Sequence, residues 1–258
     1  MKTNMAVFFL CICILASSGI TFIVVNEQKN HELEEMRTQY EPPVQPLSLE
    51  ERYSNAVLDA MLVTSEEIDS NLTAILPSNP NILWENDLVL VVTWTKYGES
   101  YPVGNTTTTW WGDTWVTVVP ELKKRINEEN VSPDNLTLRV EQLLGLANGS
   151  ANQWFVELWV KPDDLFRPSP DPEITDTVAN LTFPANVSDE YKDWFYGMII
   201  SQYFQDEKYP WTRLGYTYDW GNPTEEIGVS EFVIRKNAEV LVHSKYGTYD
   251  YVTSKNFL

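Results

Sequence analysis

The sequence predicts an α+β domain with a mostly antiparallel sheet and three or four helices, placed after an N-terminal hydrophobic helix. Three observations support this fold class. Short runs rich in β-branched and aromatic residues are typical of strands, and they are interspersed with amphipathic helical runs. The chain is 43% hydrophobic and 13% aromatic, which is ample for a core. It contains no internal repeat, so we expect one globular domain.

Four segments are distinguished by composition. Residues 1–25 are assigned as a signal anchor or signal peptide, and residues 26–47 as a polar tether. Residues 48–80 form an amphipathic helix with its connector, and residues 81–258 form the globular α+β domain.

The run Met5–Val25 is apolar and follows Lys2. Two interpretations remain open: a signal peptide cleaved after the small residues Ala16 and Ser18, or an uncleaved anchor, since about 20 apolar residues can span a membrane. The lone Lys2 favours a body on the outer side. We therefore expect a membrane-anchored protein with its body outside, or a secreted protein if the segment is cleaved.

The formal charge of −19 disfavours nucleic acid and anionic lipid as partners and favours cationic ones. Both cysteines, Cys11 and Cys13, lie in the apolar run, so the exported body has no disulfide. N-x-S/T acceptors occur about twice as often as chance gives, as in a surface glycoprotein. They are Asn71, Asn105, Asn130, Asn135, Asn148, Asn180 and Asn186.

Several strands are predicted from apolar runs. The run 87–97 is one, and 114–119 is another. The run 153–160 is apolar on both faces and belongs in the interior of a sheet. Two further strand-like runs, 229–235 and 238–243, lie near the end of the chain, before a tyrosine-rich tail.

Helices are predicted where capping signals precede helical spacing. Ser48 and Glu51 form a capping box for a helix that either packs on the body or lifts it from the membrane. Pro120 opens a second helix, and Ser132 opens a third that stops at Gly145. Ser188 caps the clearest helix, whose apolar residues recur at steps of three and four.

Several long runs, WVTVVPEL, FRPSPDPEITD and YPWTRLGYTYDWGN among them, resemble a family of prokaryotic proteins that has no assigned activity. The similarity covers most of residues 88–236 and does not extend to residues 1–79. The resemblance implies a shared fold and no function.

The stretch 209–223 is the densest in aromatic and charged side chains, and the acidic, proline-rich stretch 161–176 must be irregular. We predict that the two segments meet and form one polar pocket ringed by aromatic side chains. Its predicted ligand-binding residues are Arg167, Asp171, Trp211, Arg213, Tyr216 and Trp220.

Histidine is nearly absent, with only His243 outside the tether, so multi-histidine zinc sites and a Ser-His-Asp triad are disfavoured. The remaining candidates are sites built from carboxylate oxygens. Paired carboxylates can hydrolyse glycosides, and the candidates are Glu173, Asp219 and Glu231. Asp171, Glu173 and Asp176 are candidate ligands of a hard cation such as Ca²⁺, although their spacing matches no EF-hand loop. No other cofactor is expected.

The sequence thus favours an acidic, tryptophan-rich domain outside the membrane that binds a glycan, a cell-envelope component or a protein partner. A carboxylate-based hydrolase acting on saccharides is the alternative, and the sequence leaves open whether the chain is an enzyme.

Overall fold

Ten β-strands form within residues 46–129 and 131–254, which are the residues that the computed structural model describes. The strands are β1 Trp84–Glu85, β2 Leu88–Thr95, β3 Thr106–Thr108, β4 Thr114–Val118, β5 Trp154–Val160, β6 Leu165–Phe166, β7 Tyr216–Tyr218, β8 Ile227–Ser230, β9 Phe232–Ile234 and β10 Glu239–Gly247. The main sheet has the order β3-β10-β5-β2-β4-β9-β6, with β1 added to β2. Strands β7 and β8 form a separate pair.

Every pairing between described strands is antiparallel. Strand β5 lies between β10 and β2 and is covered on both faces, as its two-sided apolar pattern predicts. The predicted run 229–235 is divided into β8 and β9 at Glu231. The α+β class with a mostly antiparallel sheet is therefore confirmed.

The same residues form five α-helices: α1 Leu49–Ala60, α2 Glu121–Glu128, α3 Leu136–Leu143, α4 Asp189–Tyr203 and α5 Thr248–Thr253. Ser48 and Glu51 make the predicted capping box of α1, and the hydroxyl of Ser188 accepts a hydrogen bond from the Tyr191 N–H at the start of α4. Helix α5 was not predicted, because the tyrosine-rich tail shows no helical spacing.

The two faces of the main sheet are covered by different layers. On one face, Val89, Val91, Val156 and Leu158 pack with residues from loops, including Ile75. On the other face, alternate residues of the same strands meet side chains of α2, α3 and α5. The members of this second cluster include Leu90, Val92, Trp94, Phe155, Leu122, Ile126, Val140, Leu143 and Tyr251.

Helix α1 packs on the body through Ala56, Val57 and Ala60. Of the two predicted alternatives, packing on the body or lifting it from the membrane, the first is therefore observed. The Arg213 guanidinium donates hydrogen bonds to the carbonyls of Ala60 and Met61, at 2.9 and 3.0 Å, and so supplies the basic group that the last turn of α1 lacks. The compact unit accordingly begins at Ser48, earlier than the predicted start of the globular domain at residue 81.

The predicted signal segment, residues 1–25, and the tether up to residue 45 lie outside the described residues. Of the helices that the structure does describe, none combines the length and the apolar character needed to cross a membrane.

The segments 161–176 and 209–223 do meet, and the contact is packed tightly. Gly215 has a φ of +78°, and a Cβ at this position would lie 2.5 Å from Cδ of Arg167. Only glycine satisfies both the backbone conformation and the close approach. The two segments therefore share a buried structural contact.

We expect Gly215→Ala to lower the free energy of unfolding by about 2 to 4 kcal/mol, from backbone strain and the clash with Arg167. Gly104→Ala is the control, because Gly104 has a φ of +81° and an added Cβ there would have no other atom within 4 Å. Urea unfolding of both variants separates strain from steric overlap. Equal losses in the two variants would show that the Arg167 contact is unimportant.

Candidate functional site

A cavity of about 810 Å³ opens where β2 and β4 separate. The two strands share only the register pairs Val91–Val118 and Val92–Thr117. Beyond this point the rest of β2 pairs only with β5, while the start of β4 pairs only with β9. The facing ends, residues 92–95 and 114–117, all line the cavity. A split in the main sheet therefore creates the space.

Aromatic side chains form most of the cavity wall. Five of the ten tryptophans in the chain and five of its 13 tyrosines are among the lining residues. These are Trp94, Trp110, Trp111, Trp115 and Trp211, and Tyr97, Tyr101, Tyr209, Tyr216 and Tyr218. Aromatic faces in a concave site of this volume are typical of small-ligand pockets.

The aromatic residues divide into a rim and an inner wall. Trp110 is 69% exposed and Tyr97 is 62% exposed, so both lie at the rim. The inner wall includes Trp115 and Trp211, whose rings meet edge to face with centroids 6.1 Å apart. The loops between β2 and β4 supply the rim, and the segment before β7 supplies much of the inner wall.

Glu231 is the acidic group within this aromatic wall. It lies between β8 and β9, where its backbone N–H donates to the carbonyl of Gly215 at 2.9 Å. Its carboxyl is partly accessible from the cavity and forms no hydrogen bond or ion pair with any described residue. Burial raises the pKa of Glu231 to about 8. The unliganded site therefore holds a largely protonated carboxyl at neutral pH.

Two further polar groups of the wall are unsatisfied. Oγ1 of Thr117 and Nε1 of Trp211 are buried and have no hydrogen-bond partner, although the residues are only 4% and 5% exposed. Buried polar atoms are nearly always paired in folded proteins, so two atoms without a partner among the described residues are unusual in the packing behind one cavity.

Asp113 is the other carboxylate among the lining residues. Both of its oxygens are occupied: Oδ2 accepts from Nε1 of Trp194 at 2.8 Å, and Oδ1 accepts from the backbone N–H of Lys236 at 2.9 Å. No lysine, arginine or histidine is among the residues that line the cavity. Glu231 is therefore the carboxyl there that is free to contact a ligand.

Comparisons with family models, with curated proteins and with solved structures gave no match. The resemblance to prokaryotic proteins of unassigned activity thus stays a prediction. The candidate site is defined by geometry alone.

Three of the predicted site residues line this cavity: Trp211, Tyr216 and Glu231. The other predicted residues lie elsewhere. The contact between segments 161–176 and 209–223 is a packed junction, and the cavity is formed by 209–218 with β2, β4 and their loops. The predicted pairing of these two irregular segments around a common pocket is therefore corrected.

Arg167 serves the structure of its loop. Its side chain is fully buried, and Nη1 donates to Oδ1 of Asp176 at 2.7 Å. Its Nη atoms also donate to the carbonyls of Thr73, Asp176 and Val178. The guanidinium lies over the ring of Phe232, 5.7 Å from its centroid. No cavity-lining atom belongs to this residue, so the predicted ligand-binding role of Arg167 receives no support.

Arg213 and Trp220 are also engaged in the fold. Arg213 caps α1, as described above, and Nε1 of Trp220 donates to the carbonyl of Leu146 at 2.9 Å. Neither residue lines the cavity, nor does Asp171. These three predicted ligand-binding residues are placed outside the candidate site.

Asp219 is completely buried, and Arg139 neutralises it. Nη1 and Nη2 of Arg139 donate to the two carboxylate oxygens at 2.7 and 2.5 Å. The backbone N–H of Gly221 adds a third hydrogen bond to Asp219 at 3.1 Å. A carboxylate with both oxygens committed to a bidentate pair acts as a structural anchor, so the geometry does not support a catalytic role.

Glu173 is remote from the cavity lining and is held by its own loop. Burial raises the pKa of Glu173, but hydrogen bonds from Thr175 and the backbone of Asp176 outweigh this effect and lower the pKa. A general acid needs a shift in the opposite direction. The proposed catalytic set of Glu173, Asp219 and Glu231 is thus not assembled in one cleft.

The predicted cation site receives no support either. Among the described residues, no group of three or more histidine, cysteine, aspartate or glutamate side chains could hold a metal ion. Asp176 is paired with Arg167, while Glu173 accepts hydrogen bonds within the loop. The carboxylates of Asp171, Glu173 and Asp176 therefore do not converge.

Sequence reasoning missed the residues that β2, β4 and their loops contribute, chiefly Trp94, Trp110, Trp115 and Thr117. A signal was present in the sequence TTTTWWGDTWVT, which carries three tryptophans within six residues. Its threonines and tryptophans predict strand and loop but no cavity, because periodicity alone does not show that two strands separate.

Proposed function

We propose that this chain is a binding domain whose cavity between β2 and β4 receives a saccharide. The observation that carries the proposal is the aromatic cavity of about 810 Å³ with unsatisfied polar groups in its wall. Pockets of this volume suit small ligands or a segment of a larger one. A glycan or a cell-envelope polysaccharide supplies such a segment.

The wall offers both kinds of contact that a sugar requires. A pyranose ring has apolar C–H faces that stack on indole and phenol rings, and hydroxyls at its edge that need hydrogen-bond partners. Trp110 and Tyr97, which line the cavity and are largely exposed, offer the rings. The partly accessible Glu231 carboxyl, which has no partner among the described residues, offers a polar contact. A purely apolar ligand would leave this group unsatisfied at a cost in free energy.

The second candidate is a carboxylate-based hydrolase acting on saccharides. One observation favours it: the raised pKa of Glu231 keeps this carboxyl protonated at neutral pH, as a general acid requires. Glycoside hydrolysis by this route also needs a second, ionised carboxylate across the scissile bond. The oxygens of Asp113 are already hydrogen-bonded to Trp194 and Lys236, so binding without turnover is the better-supported function.

We expect Trp110→Ala and Tyr97→Ala to weaken saccharide binding about tenfold each, because each removes one stacking surface at the rim. Both side chains are largely exposed, so the fold should be unaffected. Tyr196→Ala is the matched control: Tyr196 is 54% exposed but does not line the cavity. A glycan array identifies the ligand, and calorimetric titration of it measures the variants.

A further variant tests the inner wall. Thr117→Val removes a buried hydroxyl that has no partner among the described residues and keeps the side-chain shape, so it should leave stability unchanged or slightly higher. Product analysis in the same samples distinguishes binding from hydrolysis. If no saccharide binds the array, or if Tyr196→Ala weakens binding as much as Trp110→Ala, the cavity is not a saccharide site.

We also propose that the body is exported and remains anchored to the outer side of a membrane by the apolar run Met5–Val25. The six described N-x-S/T acceptors are all exposed on the body, which is the placement that attachment of a glycan requires. They are Asn71, Asn105, Asn135, Asn148, Asn180 and Asn186. Their exposure supports glycosylation of this surface as part of the proposal.

A further inference from the structure

The charges around the cavity restrict the chemical class of its ligand. No cationic side chain is among the lining residues, and the Glu231 carboxyl is the acidic group there that lacks a partner. Outside the lining, the ammonium of Lys96 lies over the ring of the lining residue Tyr97, 5.3 Å from its centroid. An anionic ligand would find no ion-pair partner in the wall.

A cationic group would be stabilised in three ways. It would supply the ion-pair partner that the Glu231 carboxylate lacks. Aromatic rings attract cations through their π-electrons, and ten of the lining residues are tryptophans or tyrosines. The net charge of −19 also raises the local concentration of cationic ligands.

We propose that the saccharide carries a protonated amine and that this ammonium group binds Glu231, which makes Glu231 the residue that determines specificity. This inference rests on the proposed saccharide-binding function and adds the substrate class, an amino sugar. The aromatic wall holds the sugar rings, and Glu231 selects the free amine over an acetamide or a hydroxyl at the same ring position.

Three oligosaccharides of equal length and linkage test the proposal on the full chain in detergent: β-1,4-linked glucosamine, N-acetylglucosamine and glucose tetramers. We expect the glucosamine tetramer to bind at least about tenfold more tightly than the other two at 0.5 M NaCl, where long-range attraction is screened. Glu231→Gln should abolish this preference, so that the three tetramers bind the variant alike.

Glu225→Gln is the matched control, because Glu225 is an exposed carboxylate outside the cavity and its loss changes the net charge equally. Tetralysine, which carries ammonium groups but no sugar ring, measures how much of the binding comes from charge attraction alone. Equal binding of all three tetramers by the wild-type chain overturns the role of the amine and leaves saccharide binding standing. Preference retained in Glu231→Gln, or lost equally in Glu225→Gln, overturns the role of Glu231. Failure of all three tetramers to bind overturns this inference, while the glycan array decides the wider function separately.

Discussion

Arg167→Met should lower the free energy of unfolding by about 3 to 5 kcal/mol. The guanidinium is fully buried and donates to Asp176 and to the carbonyls of Thr73 and Val178. Methionine fills part of the same space but donates no hydrogen bond, so buried carbonyls lose their partner. The loss of those bonds outweighs the relief of burying a cation, because Asp176 itself remains partly exposed to water.

Arg125→Met is the control for this experiment. Arg125 pairs with Glu129 at 3.6 Å, donates a long hydrogen bond to the carbonyl of Ile227 at 3.4 Å, and has a side chain that is 35% exposed. Its loss should cost about 1 kcal/mol or less, because the pair is partly solvated and the hydrogen bond is long. Urea unfolding at pH 7 compares the two variants. An Arg167→Met protein with wild-type stability and lost saccharide binding would contradict the structural role and restore the ligand-binding role predicted from the sequence.

The stability of the wild-type chain relative to Glu231→Gln should fall as the pH rises from about 5 to 9. Burial raises the pKa of Glu231 to about 8 in the folded state, against an ordinary value of 4.5. Between these values the folded chain holds a proton that the unfolded chain has released. The stabilisation from this proton is therefore complete below about pH 4.5 and is lost as the pH rises through about 8.

A pKa shift of this size corresponds to roughly 3 to 5 kcal/mol between the two ends of that range. The measurement is urea unfolding of the wild type, Glu231→Gln and Glu225→Gln at intervals from pH 5 to 9. Glu225→Gln should follow the wild type, because it alters net charge without removing the buried carboxyl. Parallel curves for wild type and Glu231→Gln would mean that Glu231 is well hydrated in the cavity and titrates normally.

Much of the secondary structure was predictable, because it depends on neighbours in the sequence. The Ser48–Glu51 capping box, the helix after Ser188 and the two-sided apolar strand β5 were each indicated by local spacing and are confirmed. Helix α5 escaped prediction because its formation depends on burying Tyr251 and Val252 against α2 and the sheet. Tertiary packing overrides weak local propensity in such short segments.

The candidate site was predicted only in part. The density of aromatics in 209–223 indicated Trp211 and Tyr216, and Glu231 was indicated as a carboxylate near strand-like runs. The same density wrongly suggested that Arg213 and Trp220 face the site. A side chain that caps a helix and one that binds a ligand look alike in the sequence, since both are large polar or aromatic groups in an irregular segment.

The sequence by itself determined the α+β class, four of the five described helices, the longer strands, the absence of cysteine from the body and the acidic character of the chain. Tertiary structure alone decided that β2 and β4 separate after two paired residues, which opens the cavity. It also decided that Asp219 is neutralised by Arg139, 80 residues away in the sequence, while Glu231 has no partner among the described residues. The physical reason is that local patterns fix backbone geometry, whereas the partner of a buried charge such as Asp219 can lie far away in the sequence.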